Sequence, residues 1–301
     1  MKKNIFLYLF LISFGLFGNP ALFSQQESSS TSLEKMKKQP VVEYKIEAEL
    51  LPEEKAVEGV ETLTWFNDSE KAISELQFHL YLNAFKNNRS TFMKESGGAH
   101  RGFRLGEENW GYIDVERIKL KDGPDLRESM EFIHPDDSNQ QDQTVMRVKL
   151  PTPVPPQSSI TLYIEFYSKL PRVFARTGFY KDFFMVAQWF PKIGVLWNGE
   201  WNCHQYHAQS EYFADFGTYE VDITVPEEYV VGATGERIEE KKNEQGTHTY
   251  TYYQEKVHDF AWTACPDFVE VREKYVQKHP PVETEMIFLI YRPHLNQKDR
   301  Y

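Results

Sequence analysis

Cys203, His204, His207, Glu211 and Asp215 are the densest gathering of metal-capable side chains in this sequence. His204 and His207 stand three apart, which on a helix would bring both imidazoles to one face. A working metal site needs three or four converging ligands. The surrounding residues are aromatic and turn-rich, so the competing reading is a set of polar loop residues beside a Trp-rich core. Other chemistries find less support. None of the nine histidines is followed by Glu, so the paired-histidine H-E-x-x-H arrangement of zinc hydrolases is absent. No Ser or Cys sits in a nucleophile-elbow context, and Gly97-Gly98 lacks the flanking strand and helix of a phosphate loop. Asp114, Asp215 and Asp259 could meet in space as carboxylates, but spacing alone gives no distances and no acid–base pair is assigned.

The elements that would position these side chains are strands. Val42, Tyr44, Ile46, Ala48 and Leu50 alternate with Glu43, Lys45, Glu47 and Glu49, the signature of a strand with one buried face. Pro52 to Lys55 makes a turn into a second strand, Val57 to Phe66, completing an antiparallel hairpin. A third strand is expected over Ile73 to Leu82. Further strands are read at Gly111–Lys119, Thr144–Leu150, Ser159–Ser168, Thr218–Val225, Tyr229–Ala233, Thr247–Gln254, Phe268–Val276 and Val282–Tyr291. Phe85 to Trp110 carries no periodicity and reads as a long irregular segment of the kind that packs over something or serves a function. No amphipathic helix of useful length is apparent between Pro40 and Tyr291. The expected fold is therefore all-β, a saddle-like or sandwich-like antiparallel multi-sheet domain. Trp189, Phe190, Trp197, Trp201, Tyr206, Tyr212, Phe213 and Phe216 would line a carbohydrate or peptide groove, or else supply core and a large interface.

The ends and the charge bound the compartment and the partners. Lys2-Lys3 precedes an uncharged apolar run, Ile5 to Gly18, too short for a comfortable membrane span. Asn19-Pro20 and Ser24 follow, so residues 1–24 read as a signal peptide and the protein as exported, periplasmic or extracellular. Residues 25–40 read as a flexible leader. A formal charge of −11 with no basic block past the N-terminus argues against a nucleic-acid partner. Cys203 and Cys265 are the only cysteines. In an oxidising compartment they would either pair, for roughly 4 kcal/mol in the chain-entropy picture, or stay apart. At the other end, Asn296 could cap a helix starting at Gln297, either as a frayed tail or as the opening of a helical domain.

Several segments taken in order resemble the N-terminal domain of aminopeptidase N-like zinc metallopeptidases, the gluzincin family of membrane alanyl aminopeptidase. They are His79-Leu80-Tyr81-Leu82-Asn83-Ala84-Phe85, Ser90-Thr91-Phe92-Met93, Gly111-Tyr112-Ile113-Asp114-Val115 and Gln188-Trp189-Phe190-Pro191-Lys192-Ile193-Gly194-Val195. Ala214-Asp215-Phe216-Gly217-Thr218-Tyr219-Glu220-Val221, Val230 to Gly235 and His258-Asp259-Phe260-Ala261-Trp262 complete the set. The resemblance implies that 41–292 is that family's β domain, which walls the substrate cleft of a thermolysin-like catalytic domain, and that 293–301 is where the catalytic domain begins. It implies zinc in full-length relatives, held by motifs this chain lacks, so the chain itself carries no catalytic residue, metal ligand or cofactor. A peptide would be bound only together with the catalytic domain. The family sends a Gln or Glu from this domain toward the first substrate residue, and Gln188 occupies the corresponding stretch. The competing reading makes Gln188 a buried amide that satisfies strand-end backbone groups. The alternative for the whole chain is a free-standing periplasmic β-sandwich module that binds protein or glycan.

Overall fold

The alternation of Val42 to Leu50 produces the expected strand, Val42–Leu51, in a computed structural model that describes residues 40–300. The signal-peptide segment 1–24 and all of the leader except Pro40 lie outside the described residues. The hairpin forms as read: the Lys55 amide donates to the Pro52 carbonyl at 3.3 Å, and Val42–Leu51 pairs antiparallel with Ala56–Asn67. Inward residues Tyr44, Ile46 and Ala48 meet Leu63, Glu61 and Gly59 in register. Strand Ser158–Lys169 follows on the far side of Ala56–Asn67 and Tyr112–Leu120 beyond it. On the other flank lie Gly217–Pro226, Thr247–Val257 and Glu236–Lys242, making a seven-stranded sheet. Every pairing in it is antiparallel but one: Val42–Leu51 runs parallel to Gly217–Pro226, which the antiparallel reading did not anticipate. A parallel neighbour must come from far along the chain, and here it does.

Two four-stranded sheets share the core. One orders Gly178–Tyr180, Phe183–Val186, Trp262–Cys265 and Val230–Ala233; the other orders Lys192–Ile193, Ile73–His79, Val145–Val154 and Met130–Phe132. Trp65, Trp189, Trp262, Tyr219, Phe78, Phe166 and Phe190 are all fully buried between the layers, each contributing on the order of 2 kcal/mol through removal from water. Phe268–Lys278 and Pro281–Tyr291 pair only with each other, as a two-stranded ribbon.

Three local readings are corrected. The third strand stops at His79, and Tyr81–Phe85 is a 3-10 turn. Asn83 holds it there, its side-chain amide donating to the Gln143 carbonyl (3.0 Å) and its Oδ1 accepting the Ile113 amide (3.1 Å). The irregular stretch 85–110 contains a six-residue helix, Thr91–Ser96, capped by the Ser90 hydroxyl on the Met93 amide and ended by Gly97 at φ 62°. The terminal turn begins at Arg292, as a 3-10 run to Arg300, rather than at Gln297.

Candidate functional site

Gln188 lies in the turn that links strand Phe183–Val186 to Lys192–Ile193, with its backbone in the left-handed region at φ 57°. A non-glycine residue stays there only where its surroundings hold it. The next residue does so. The Trp189 indole, fully buried, donates to the Phe260 carbonyl (3.1 Å), and the Trp189 carbonyl accepts the Ser168 hydroxyl (2.6 Å). The Gln188 side chain is buried, yet its partners are charged side chains and not strand-end backbone. Its amide donates to Asp259, and its Oε1 accepts from the Lys192 ammonium at 3.3 Å. Lys192 is in turn ion-paired with Asp259 and lies over the Phe190 ring, 5.3 Å from its centroid.

Glu61 adds a second carboxyl to this core. It is fully buried, between Ile46 and Ile164 on neighbouring strands, and its two oxygens meet no hydrogen-bond partner among the described residues. Burial pushes its carboxyl well above the usual range, and the Lys192 charge only partly offsets this. Burial likewise lowers the Lys192 ammonium, against the attraction of Asp259 and Glu61. The resulting assignment is Glu61 neutral and Lys192–Asp259 as the charged pair. Tyr44 and Tyr219 stack beside it with centroids 4.7 Å apart, and the Tyr44 hydroxyl accepts the Ile193 amide at 3.2 Å. Asp259 carries this network outward: it is half-buried, and its neighbour His258 leans on Phe216, which is 65% exposed.

The histidine segment forms a separate cluster. His204 and His207 converge on Asp136, at 2.5 Å and 3.2 Å, and the other ring nitrogen of His207 meets Glu95 at 2.7 Å. Cys203 turns away into the core, its sulfur 3.5 Å from the His79 ring, while Glu211 pairs with Arg176 at 2.9 Å. Asp215 is half-buried beside Phe216, and Asp114 is exposed on its strand. The Cys203–His79 pair has the composition of a nucleophile and base, but burial raises the thiol and lowers His79 to about 3, helped by the Lys192 and His204 charges. Both are neutral, the opposite of an activated thiolate–imidazolium. The two cysteines are separate buried thiols.

Zinc finds no fitting donor set. Both nitrogens of His207 face carboxylates, Cys203 and His79 have no third ligand, and no group of three or more His, Cys, Asp or Glu able to hold a metal ion occurs among the described residues. The aromatic-rich segment divides: Trp189, Phe190 and Tyr206 are buried, while Trp197, Phe213 and Phe216 are exposed. Glu61, Lys192 and Asp136 were not singled out in the sequence. The one available signal was Glu61, a charge at an inward position of the alternation in Val57 to Phe66.

No protein-family model and no curated protein matches the sequence. Solved structures do. Two mutant structures of the M1 zinc metallopeptidase from Deinococcus radiodurans, one bound to a Tyr-Ser-Ala substrate, match at 15% and 16% identity, each with a TM-score of 0.50. Each match covers 82% of this chain and 47% of theirs. Legionella pneumophila aminopeptidase A in complex with aspartic acid matches at 14% identity and a TM-score of 0.51, over 88% of this chain and 26% of that one. At such identity the likeness is one of fold. The chain has the all-β fold of an M1 metallopeptidase N-terminal domain. It spans about half the length of the Deinococcus enzyme and about a quarter of the Legionella one.

Proposed function

We infer that this chain is the β domain of an exported zinc aminopeptidase-like protein, shaping the substrate cleft and bracing a catalytic domain that supplies the zinc. Zinc would be held by that domain, since no donor set among the described residues fits it, and a peptide would be bound between the two. Gln188 and Asp259, fixed by Lys192, would border the pocket for the first substrate residue. The apolar run after Lys2-Lys3 supports export.

The observation that carries the reading is the ribbon Phe268–Lys278/Pro281–Tyr291. Its register places Val269, Val271, Tyr275, Val282, Met286, Phe288 and Ile290 on one face, interrupted by Glu273, Gln277 and Thr284. The other face carries the cross-strand ion pairs Arg272–Glu285 (2.9 Å) and Lys274–Glu283 (2.7 Å). The root of this second face is covered, with Leu289 against Gly232 and Phe268 edge-on to Phe183, and on the first face Ile290 is buried. Farther out apolar side chains are exposed on both faces, Tyr275 (52%) and Val282 (48%) on the first, Val276 (62%) and Ile287 (50%) on the second. Two strands alone are marginal in water, and a ribbon that exposes this many apolar side chains marks an interaction surface. A free-standing binding module would have to use the aromatic segment, three of whose eight rings, Trp189, Phe190 and Tyr206, are buried in the core.

A hydrophobic dye should bind the folded 301-residue chain, and V271K/F288K should reduce its fluorescence several-fold at an unchanged unfolding midpoint. A folded wild-type chain that ignores the dye would sink the interface. Chelator-sensitive cleavage of an aminoacyl substrate by the purified chain would sink the division of labour.

A further inference from the structure

The ring of His207 stands between two carboxylates, Glu95 Oε1 at its Nδ1 (2.7 Å) and Asp136 Oδ2 at its Nε2 (3.2 Å). An ionised carboxylate only accepts hydrogen bonds, so both ring nitrogens must carry hydrogen and the ring is an imidazolium. Each carboxylate is also fastened to the histidine's own segment. Glu95 accepts the Ala208 amide (2.9 Å), and Asp136 accepts the Gln205 amide (2.6 Å) as well as His204. Glu95 belongs to the helix Thr91–Ser96, and Asp136 to the loop 133–144, so one ring joins three separate stretches of chain. Two of those stretches, the loop and the histidine segment, help wall a cleft of about 450 Å³ lined by His79, Tyr81, Asp136, His204, His207 and Phe213, among others.

We propose that His207 is a proton-operated latch beside this cleft: protonated, it ties segment 203–210 to the helix and to the 133–144 loop, and on losing its proton it gives up its own bond to the loop, leaving Gln205 and His204 to hold Asp136. A neutral imidazole has one hydrogen, so one nitrogen lone pair would then face a carboxylate and repel it. Of the ring's two contacts that to Glu95 is the shorter, so the Asp136 contact is the one that breaks.

The charges facing the ring favour the closed form. Besides Glu95 and Asp136 there is Asp137 from the same loop, whose carboxyl is held down in part by the His207 charge. His204 and the Arg176–Glu211 pair lie on or beside its own segment, and His100 and Arg101 line the neighbouring cleft with Glu95. Burial lowers His207, but the bonds to Glu95 and Asp136 outweigh it, and the ring titrates above its ordinary 6.5. Its contribution to stability is therefore complete below 6.5 and disappears as pH rises through the folded-state value.

The experiment is an NMR titration of histidine rings and backbone amides in the 301-residue chain. His207 should titrate above 6.5, and the Gln205 and Ala208 amides should shift with the same midpoint. E95Q should move that midpoint down by about one pH unit. H207Q should remove the fall in unfolding midpoint that sets in as pH rises above 6.5. A His207 that titrates at or below 6.5, or amides indifferent to its proton, would overturn the latch. Should H207Q fail to fold, the wild-type titration decides alone.

Discussion

Lys192 is buried in a core that offers it one ionised partner, Asp259, one neutral carboxyl, Glu61, and the amide oxygen of Gln188. Removing one member of such a pair leaves an uncompensated charge, whereas removing both leaves a polar but neutral core. We expect K192M to lower the unfolding free energy by about 3 kcal/mol and the double variant K192M/D259N to recover much of that loss, as read by urea unfolding. Equal destabilisation of single and double variants would show that the two side chains do not act as a pair. The same ion pair fixes the Gln188 side chain, while the anchored Trp189 holds its left-handed backbone.

At the scale of the element, strands with one wet face were legible because period-2 alternation is imposed by the pleat itself. The strand Glu236–Lys242 escaped notice because it is a sheet edge rich in Glu and Lys and largely exposed, and so shows no apolar period. The helix Thr91–Ser96 is too short to display a helical period, and only its caps announce it. Between strands, one contact sets a tolerance. A Cβ on Gly59 would lie 2.2 Å from the tip of the Phe166 ring, which is itself fully buried. G59A should cost about 2 kcal/mol through overpacking, measured by thermal unfolding, and F166L in the same chain should restore part of it. An unchanged midpoint in G59A would mean that the ring has room to move.

Over the whole molecule the net charge of −11 has a structural address. Glu47, Glu49, Glu58, Glu116, Glu165 and Asp222 line one cleft of about 510 Å³ on the large sheet, and Glu49 and Glu58 are directly cross-strand neighbours. Lys45 answers Glu220 and Arg117 answers Glu165, leaving an excess of negative charge on this face. Like charges opposed across strands destabilise and are screened by salt. Raising the ionic strength to roughly 0.15 M should therefore stabilise the protein by about 1 kcal/mol, read as an upward shift of the urea midpoint. A downward shift would mean that the surface ion pairs outweigh the repulsion.

Alternation, turn residues and the order of short motifs determined the all-β class, most strand positions and the resemblance to a metallopeptidase β domain, because these depend on neighbours along the chain. Only the tertiary structure decided that Val42–Leu51 lies parallel to Gly217–Pro226, that Cys203 faces His79, and that Glu61, Lys192 and Asp259 meet beneath Gln188. It also decided that His207 would bridge Glu95 and Asp136. Each of those meetings joins residues far apart in sequence. A carboxylate or an ammonium is tolerated in a core only when a distant partner arrives to neutralise it, and no local pattern records that arrival.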